Sequence, residues 1–249
     1  MPAAIIAGTL VYEIPGMELN EKIVSTPYGE ALVYKVDGIQ SDVVFLPRHG
    51  ITHDTPPHQI NYRANLKALE QLGVKRVLAV NAVGSINKEI APLDLALLSD
   101  FIDFTSNREA TFFEGGEQGV KHVDVSIPYC PYLRKKVLQA AEKRGVPIHP
   151  EAVYVCTNGP RLESPAEIKM FDQLGGDVVG MTGIPEAVLA KELDLCYASV
   201  AFSINWAAGF QEKVEFTTDT DGLQNMKKDL LDILLEAIAS STDSKCCID

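Results

Sequence analysis

Two basic side chains suited to an anion follow a short apolar run of this 249-residue sequence. In the stretch LPRHGITHD, Arg48 and His49 stand together at the predicted end of a strand, and His53 follows in the loop. The planar guanidinium of arginine presents paired N–H donors that match phosphate geometry. A surface loop with incidental basic residues is the alternative. A zinc site is disfavoured, because Gly50 argues against a helix and no third ligand has metal-like spacing.

Small, hydroxyl and amide residues follow other apolar runs. Gly8 and Thr9 in IAGTL can turn backbone N–H groups towards a phosphate, although a plain tight turn is equally consistent. Asn81, Thr182 and Asn205 end further runs, and each alone is more often a packing feature. Because ligands bind beyond the carboxyl ends of strands in open α/β sheets, the set together predicts an anion pocket beside a planar, polar group.

One carboxylate precedes a predicted helix. In GPRLESPAE, Glu163 comes directly before Ser164 and Pro165, and Glu167 completes the signature of a helix start. Taken alone, Glu163 is explained by a favourable interaction with the helix dipole.

Alternating strand and helix patterns predict the elements that position these side chains. Several apolar runs are typical of strands covered on both faces. Between them, residues 59–73 and 132–145 show helical spacing and end on glycine. The alternation predicts one domain over residues 1–249, an α/β fold arranged as a three-layer sandwich around a mixed β-sheet. A disordered tail is expected at about 241–249.

Composition restricts the partners and the compartment. The net charge of −12 and the pI of about 4.9 disfavour nucleic acid and anionic membranes. No apolar run is long enough to cross a bilayer and the N-terminal run lacks a basic leader, so we expect a cytoplasmic protein. The five cysteines fit neither a zinc site nor a disulfide framework, and the pair Cys246 and Cys247 is expected to be incidental.

Seven segments resemble, jointly and in order, the purine nucleoside phosphorylase superfamily, and more closely its methylthioadenosine phosphorylase branch. They are RHG, NYRANLKAL, NAVGSI, FIDFTSNREATFF, GPRLESPAEI, GMTGIPEAVLAKELDLCYAS and NWAAG, and they span nearly the whole chain. The resemblance implies an α/β fold assembled as a homotrimer or a dimer of trimers, without metal or organic cofactor. It implies phosphorolysis, in which a nucleoside and the co-substrate orthophosphate give a free purine and an α-sugar 1-phosphate.

The resemblance also implies roles for individual residues. Phosphate binding falls to Thr9, Arg48, His49, Asn81, Ala82 and Thr182. Purine binding falls to Leu162, Glu163, Asn205 and Ala207, and ribose binding to His53, His122, Met181 and Asp219. His122 would come from the neighbouring subunit, and Asn205 and His49 would be the catalytic residues. The first loop departs from the branch, because Ala7-Gly8-Thr9-Leu10 is one glycine short.

Two substitutions relative to that branch predict a 6-oxopurine substrate. Where the branch has two aspartates, this chain has Asn205 and Ala207. An amide can donate to a 6-oxo group while its oxygen accepts from a protonated N7. Glu163, where the aminopurine enzymes generally have serine, can accept the N1–H of hypoxanthine or guanine. Adenine has no N1–H, so it would leave a buried carboxylate unpaired at a cost of about 1–3 kcal/mol.

The sugar's 5′ end is predicted to meet the start of the last helix. Asp219 is expected to pair with a 5′-hydroxyl, although the carboxylate can equally sit in the first turn of a helix capped by Thr217 or Thr218. Phe216 can supply an apolar wall, and a methylthioinosine phosphorylase is therefore the closest alternative. A non-catalytic nucleotide-binding domain is more remote, because the later glycines and the acidic ribose ligand of a dinucleotide fold are missing.

Overall fold

The computed structural model describes residues 2–9, 11, 16–37 and 42–241. Within them the strands are β1 (Ala3–Ala7), β2 (Glu18–Thr26), β3 (Gly29–Asp37), β4 (Val43–Pro47), β5 (Arg76–Ser85), β6 (Leu95–Asp103), β7 (His149–Cys156), β8 (Val178–Gly180) and β9 (Cys196–Trp206). The helices are α1 (Tyr62–Gln71), α2 (Pro131–Arg144), α3 (Pro165–Gln173), α4 (Gly183–Glu192) and α5 (Thr220–Ser240). Leu10, the predicted tail beyond Ser241, and Cys246 and Cys247 lie outside the described residues. Ser241 itself is buried and accepts a hydrogen bond from Arg76.

Helices cover both faces of the sheet, which explains the wholly apolar strands. In β1, Ala4 and Ile6 pack into one hydrophobic cluster, whereas Ile5 packs into another, as the two-residue period of a strand requires. Helices α1 and α4 contribute to the first cluster, and α2 and α5 to the second. The predicted α/β class with helical layers on both sides of a sheet is confirmed.

The sheet is mixed, and one end of it closes on itself. Its order is β2-β3-β4-β1-β5-β8-β7-β6-β9, and β5 also pairs with β9. Strands β5, β8, β7, β6 and β9 therefore form a ring, which an open sandwich does not include. The ring closes because β5 has partners on both edges. Along one edge β5 pairs first with β1 and then with β8, and along the other edge it pairs in parallel with β9. The register shifts between Val83 and Gly84, and such irregularities bend and twist a strand.

Local signals at the helix ends agree with the structure. The Ser164 hydroxyl accepts from the Glu167 amide, and the Glu167 carboxylate accepts from the Ser164 amide, which completes the predicted capping box of α3. Gly145 ends α2 in the left-handed region with φ +66°. Helix α5 differs in detail, because Asp219 itself is its N-cap, not Thr217 or Thr218.

One cysteine is paired, and the described residues offer neither a metal-binding cluster nor a membrane-spanning helix. Cys196 is disulfide-bonded, which the cysteine spacing did not predict. Across the part of the chain that is described, no group of three or more His, Cys, Asp or Glu side chains is placed to hold a metal ion. Among the same residues, no helix combines the length and the apolar character needed to cross a membrane.

Candidate active site

A cavity of about 320 Å³ opens beyond the carboxyl ends of β1, β4 and β9. The predicted residues that line it are Thr9, Arg48, His49, His53, Ala82, Leu162, Glu163, Met181, Thr182, Asn205 and Ala207. The remaining wall is formed by Pro57, Val83, Gly84, Pro160, Val179, Gly180, Ile204, Ala208, Val214 and Phe216. The fold therefore brings together segments that lie up to 200 residues apart in the sequence, as the rule about strand ends predicts.

Arg48 is held at the cavity by a buried carboxylate. Its Nε and Nη2 donate to the two oxygens of Glu186 at 2.9 and 2.7 Å, and its Nη1 donates to the carbonyl of Val80 at 2.6 Å. Burial opposes the charge of Arg48, but Glu186 outweighs it and raises the pKa of the guanidinium above its usual value. Glu186 is fully buried and also accepts from the Tyr197 hydroxyl at 2.8 Å. The pair fixes the plane of the guanidinium and leaves N–H groups on both terminal nitrogens for a ligand.

His49 is neutral and has a defined orientation. Its Nδ1 lies 2.8 Å from the carbonyl oxygen of Thr55. Since a carbonyl only accepts, Nδ1 bears the hydrogen and Nε2 has the lone pair. Burial lowers the pKa of His49 to about 4, despite the opposing effect of the Thr55 hydrogen bond. At neutral pH the ring therefore stays uncharged, and the lone pair of Nε2 can accept a hydrogen bond from a ligand.

Gly8 is required by the close approach of that ring. A Cβ built at Gly8 would lie 2.7 Å from Cδ2 of His49. The loop after β1 thus needs a small residue at this position for steric reasons, while Thr9 beside it lines the cavity.

Thr182 connects the cavity to a buried polar chain. Its hydroxyl donates to Oδ1 of Asn81 at 2.9 Å, and Nδ2 of Asn81 donates to the Ser199 hydroxyl at 2.6 Å. Asn81 is buried and does not line the cavity, in contrast to the prediction that it binds phosphate. The reason is the alternation along β5, which places the neighbouring Ala82 on the cavity side.

Asn205 stands where β9 reaches the cavity. Its side chain is packed beside Gly84, where a Cβ would lie 3.1 Å from Nδ2. Nδ2 donates to the carbonyl of Trp206 at 2.8 Å. One amide hydrogen then remains, and among the described residues no hydrogen bond engages Oδ1. The amide can therefore both donate to and accept from a ligand.

Glu163 projects from the loop between β7 and α3. The Thr157 hydroxyl donates to its Oε1 at 2.7 Å, which fixes the carboxylate as an acceptor. In the same loop Gly159 has φ +62° and a Cβ there would overlap the side chain of Met181. The loop that carries Glu163 and the segment that carries Met181 are therefore packed directly against each other.

Two predicted ribose contacts lie elsewhere in this chain. His122 is exposed in a separate depression of about 520 Å³ and does not line the cavity of its own chain. Asp219 is exposed and its carboxylate accepts from the Gly222 amide at 2.8 Å as the cap of α5. Asp219 does not line the cavity, whereas Val214 and Phe216 do, so the predicted contact with a 5′-hydroxyl is replaced here by a capping role.

Two important residues were not identified from the sequence. Glu186 holds Arg48 from 138 positions away, and Tyr197 donates in turn to Glu186. Both lie in the segment GMTGIPEAVLAKELDLCYAS, but neither was assigned a role. A signal did exist for Glu186, because an acidic residue stands among apolar ones in GIPEAVLA and its helix is nearly all buried. Buried acids require a partner, and Arg48 was an available cation.

The fold and the cavity are typical of one class of protein, and comparison with known proteins identifies it. The chain belongs to the phosphorylase superfamily, whose model matches residues 2–239. The resemblance seen in the sequence motifs is thereby confirmed.

Individual relatives show which members of the superfamily this chain is similar to. The chain is 45% identical to the 6-oxopurine nucleoside phosphorylase of Pyrococcus furiosus over 98% of this chain and 94% of that protein. It is 51% identical to a probable S-methyl-5′-thioinosine phosphorylase of Methanopyrus kandleri over 80% and 77%. Among solved structures, methylthioadenosine phosphorylase from Schistosoma mansoni in complex with adenine superposes with a TM-score of 0.87 at 30% identity, covering 96% of this chain and 91% of that one.

Proposed function

We propose that this protein is a 6-oxopurine nucleoside phosphorylase. It would transfer the ribosyl group of inosine or guanosine to orthophosphate, releasing hypoxanthine or guanine and α-ribose 1-phosphate. Several relatives at 45–51% identity bear the name 6-oxopurine nucleoside phosphorylase, which supports this substrate class.

One observation supports the purine preference most directly. Asn205 and Glu163 line the same cavity as Arg48 and His49, so the residues proposed to bind the purine lie beside those proposed to bind phosphate. The amide of Asn205 suits a 6-oxo group and a protonated N7, and Glu163 suits N1–H. Sites built on such hydrogen bonds can discriminate by about 10⁴–10⁵.

The reaction we infer needs no covalent enzyme intermediate and no cofactor. Phosphate, which accepts from Arg48, Thr9 and Thr182 and donates its own O–H to Nε2 of His49, attacks C1′ while the C1′–N9 bond breaks. The sugar passes through an oxocarbenium-like state that the phosphate charge stabilises, and positioning provides much of the acceleration. Asn205 stabilises the departing purine as a proton arrives at N7.

The experiment that tests this proposal compares four nucleosides with and without phosphate: inosine, guanosine, adenosine and 5′-methylthioinosine. Base release from inosine and guanosine only in the presence of phosphate, with adenosine inert, is the expected result. Glu163→Ser provides a matched variant, because it removes the carboxylate and should lower the ratio of inosine to adenosine turnover. Activity of the unaltered enzyme on adenosine would contradict the roles of Asn205 and Glu163.

A methylthioinosine phosphorylase is the second candidate, and one observation favours it. The cavity wall includes the apolar Val214 and Phe216, while the carboxylate of Asp219 is occupied at the helix cap. An apolar wall suits a thioether better than a hydroxyl. A kcat/KM for 5′-methylthioinosine well above that for inosine would favour the methylthioinosine phosphorylase. It would leave the proposed recognition of a 6-oxopurine by Asn205 and Glu163 unchanged.

We also infer a homo-oligomer, a trimer or a dimer of trimers, located in the cytoplasm. The position of His122 outside its own cavity supports the assembly, because only a neighbouring chain could use it at a sugar. Light scattering gives the oligomeric state. A monomer with full activity would remove the reason for the inference.

A further inference from the structure

Arg108, in the segment after β6, lies behind the cavity and binds several backbone carbonyls at once. Its Nη1 donates to the carbonyl of Ile184 at 2.5 Å. Its Nη2 donates to the carbonyls of Met181 at 2.8 Å, Asn158 at 3.0 Å and Thr157 at 3.2 Å. Arg108 does not itself line the cavity.

These four carbonyls belong to the segments that build one side of the cavity. Thr157 and Asn158 begin the loop that brings Leu162 and Glu163 to the cavity wall. Met181 lines the cavity between β8 and α4. Ile184 lies in the first turn of α4, where its backbone is extended at φ −123° and ψ 132°. One cation therefore joins two segments, residues 157–158 and 181–184, that lie more than 20 residues apart in the sequence.

A third segment is attached through an aromatic ring. The guanidinium of Arg108 lies 5.5 Å from the ring centre of Tyr62, and its Nη1 is 3.3 Å from the Tyr62 hydroxyl. That hydroxyl donates to the carbonyl of Pro57 at 3.1 Å, and Pro57 lines the cavity. Arg108 thereby also connects to the turn that precedes α1.

The arrangement needs the chemistry of arginine. Carbonyl oxygens that converge on one point repel each other unless a cation lies among them. A guanidinium provides a planar set of five N–H donors, whereas an ammonium provides three and has no plane to stack on Tyr62. Hydrogen bonds from a charged donor are about twice as strong as neutral ones.

We propose that Arg108 is a positioning residue that fixes the base-facing and sugar-facing side of the cavity. The link to the base runs through Thr157, whose carbonyl accepts from Arg108 and whose hydroxyl donates to Glu163. Arg48 and His49 are held separately, by Glu186 and by Thr55, so the anion-facing side keeps its own supports. In its kinetic part this inference rests on the proposed function.

The test compares Arg108→Lys with Arg63→Lys. Arg63 is a nearby control that pairs with the surface carboxylates Glu109 and Glu114 and binds none of the four carbonyls. The first readout is hydrogen exchange in the ligand-free protein. In Arg108→Lys, exchange over residues 158–163 should quicken by roughly tenfold to a hundredfold, the range of one or two lost hydrogen bonds to a charged donor. The amides around Arg48 and His49 should not change.

The second readout compares the change in the KM for inosine with the change in the KM for phosphate. Arg108→Lys should lower kcat/KM for inosine by up to about 10²-fold through misplacement of the base. The KM for inosine should rise several times more than the KM for phosphate. A variant that merely unfolds more easily would lower the apparent kcat and leave both Michaelis constants unchanged.

Three results would overturn the proposal: unchanged exchange over residues 158–163, equal changes in both Michaelis constants, or the same effects in Arg63→Lys. If Arg108→Lys does not fold, Thr157→Val tests the link to Glu163, with a lower ratio of inosine to adenosine turnover expected and an unchanged ratio contradicting the link. Absence of phosphorolysis in the unaltered protein would refute the proposed function alone, because the exchange measurement needs no substrate.

Discussion

Replacing Glu186 by glutamine tests whether the buried ion pair supports the anion side of the cavity. Glutamine keeps the shape of the side chain and removes its charge. Arg48, which is 3% exposed, would then retain a buried cation without its counter-charge. Arg48 donates two hydrogen bonds to the Glu186 carboxylate, and one of them would be lost because glutamine has an amide N–H group at that position. Arg48 and the Tyr197 hydroxyl would then compete for the one remaining oxygen.

The size of the effect follows from burial. Removing one partner of a buried pair costs about 3–5 kcal/mol, because the other charge is left uncompensated. For a domain of 150–250 residues, about 1 kcal/mol lowers Tm by roughly 2–4 °C. Glu186→Gln should therefore lower Tm by about 6–20 °C and raise the KM for phosphate.

Thermal unfolding in phosphate-free buffer measures this, with Glu236→Gln as the matched control. The Glu236–Lys143 contact is 2.6 Å and the Glu186–Arg48 contact is 2.7 Å, so the two pairs differ in burial and hardly in distance. Lys143 has 68% of its side chain exposed, and such a surface pair contributes about 0–1 kcal/mol. Equal losses of Tm in the two variants would refute the argument from burial.

Three further variants test single statements about the site. Asn205→Ala should lower kcat/KM for inosine by about 10²-fold or more, as for a lost transition-state hydrogen bond, and near-normal turnover would contradict this role. Burial lowers the pKa of His49 to about 4, below its unfolded value near 6.5, so its contribution to stability is present above pH 6.5 and is lost as the pH falls towards 4. Tm measured against pH should be flatter in that interval for His49→Gln, and an unchanged slope would contradict the assignment. Asp219→Ala should destabilise α5 by about 1 kcal/mol in denaturant titrations, whereas a raised KM for inosine at unchanged stability would instead support a contact with the 5′-hydroxyl.

The sequence was sufficient to place most of the cavity. Arg48 and Asn205 each stand at the end of an apolar run, and the parallel strands β4, β1, β5 and β9 bring their carboxyl ends to one edge, so local patterns sufficed to group them. Thr182 follows β8, which runs antiparallel to β5, so the same rule does not explain its place at the cavity. Glu163 needed more, since its position before a helix had a structural explanation. The predicted role of Glu163 in purine binding came only from comparison with a family in which serine stands there.

What the sequence did not reveal depends on contacts between distant residues. The ring closure requires β5 to pair with β9, more than 100 residues later, and no local period encodes that choice. The capping of α5 by Asp219 was ambiguous because three adjacent residues can each cap a helix, and the path of the chain decides among them. The sequence placed both Asn81 and Ala82 at the cavity, but only Ala82 lines it. Successive side chains of a strand lie on opposite faces, so a difference of one residue decides which of them meets the ligand.

The electrostatics of the site suit the inferred reaction because little net positive charge faces the anion. The charge of Arg48 is balanced by Glu186 at 2.7 Å, and His49 is neutral near pH 7. Phosphate would therefore be held by oriented N–H and O–H donors in a protein of net charge −12. A site that neutralised phosphate with several cations would bind it tightly but would weaken both its nucleophilicity and its attraction for a cationic sugar. Directional donors hold the phosphate in place and leave its charge to stabilise the oxocarbenium-like state.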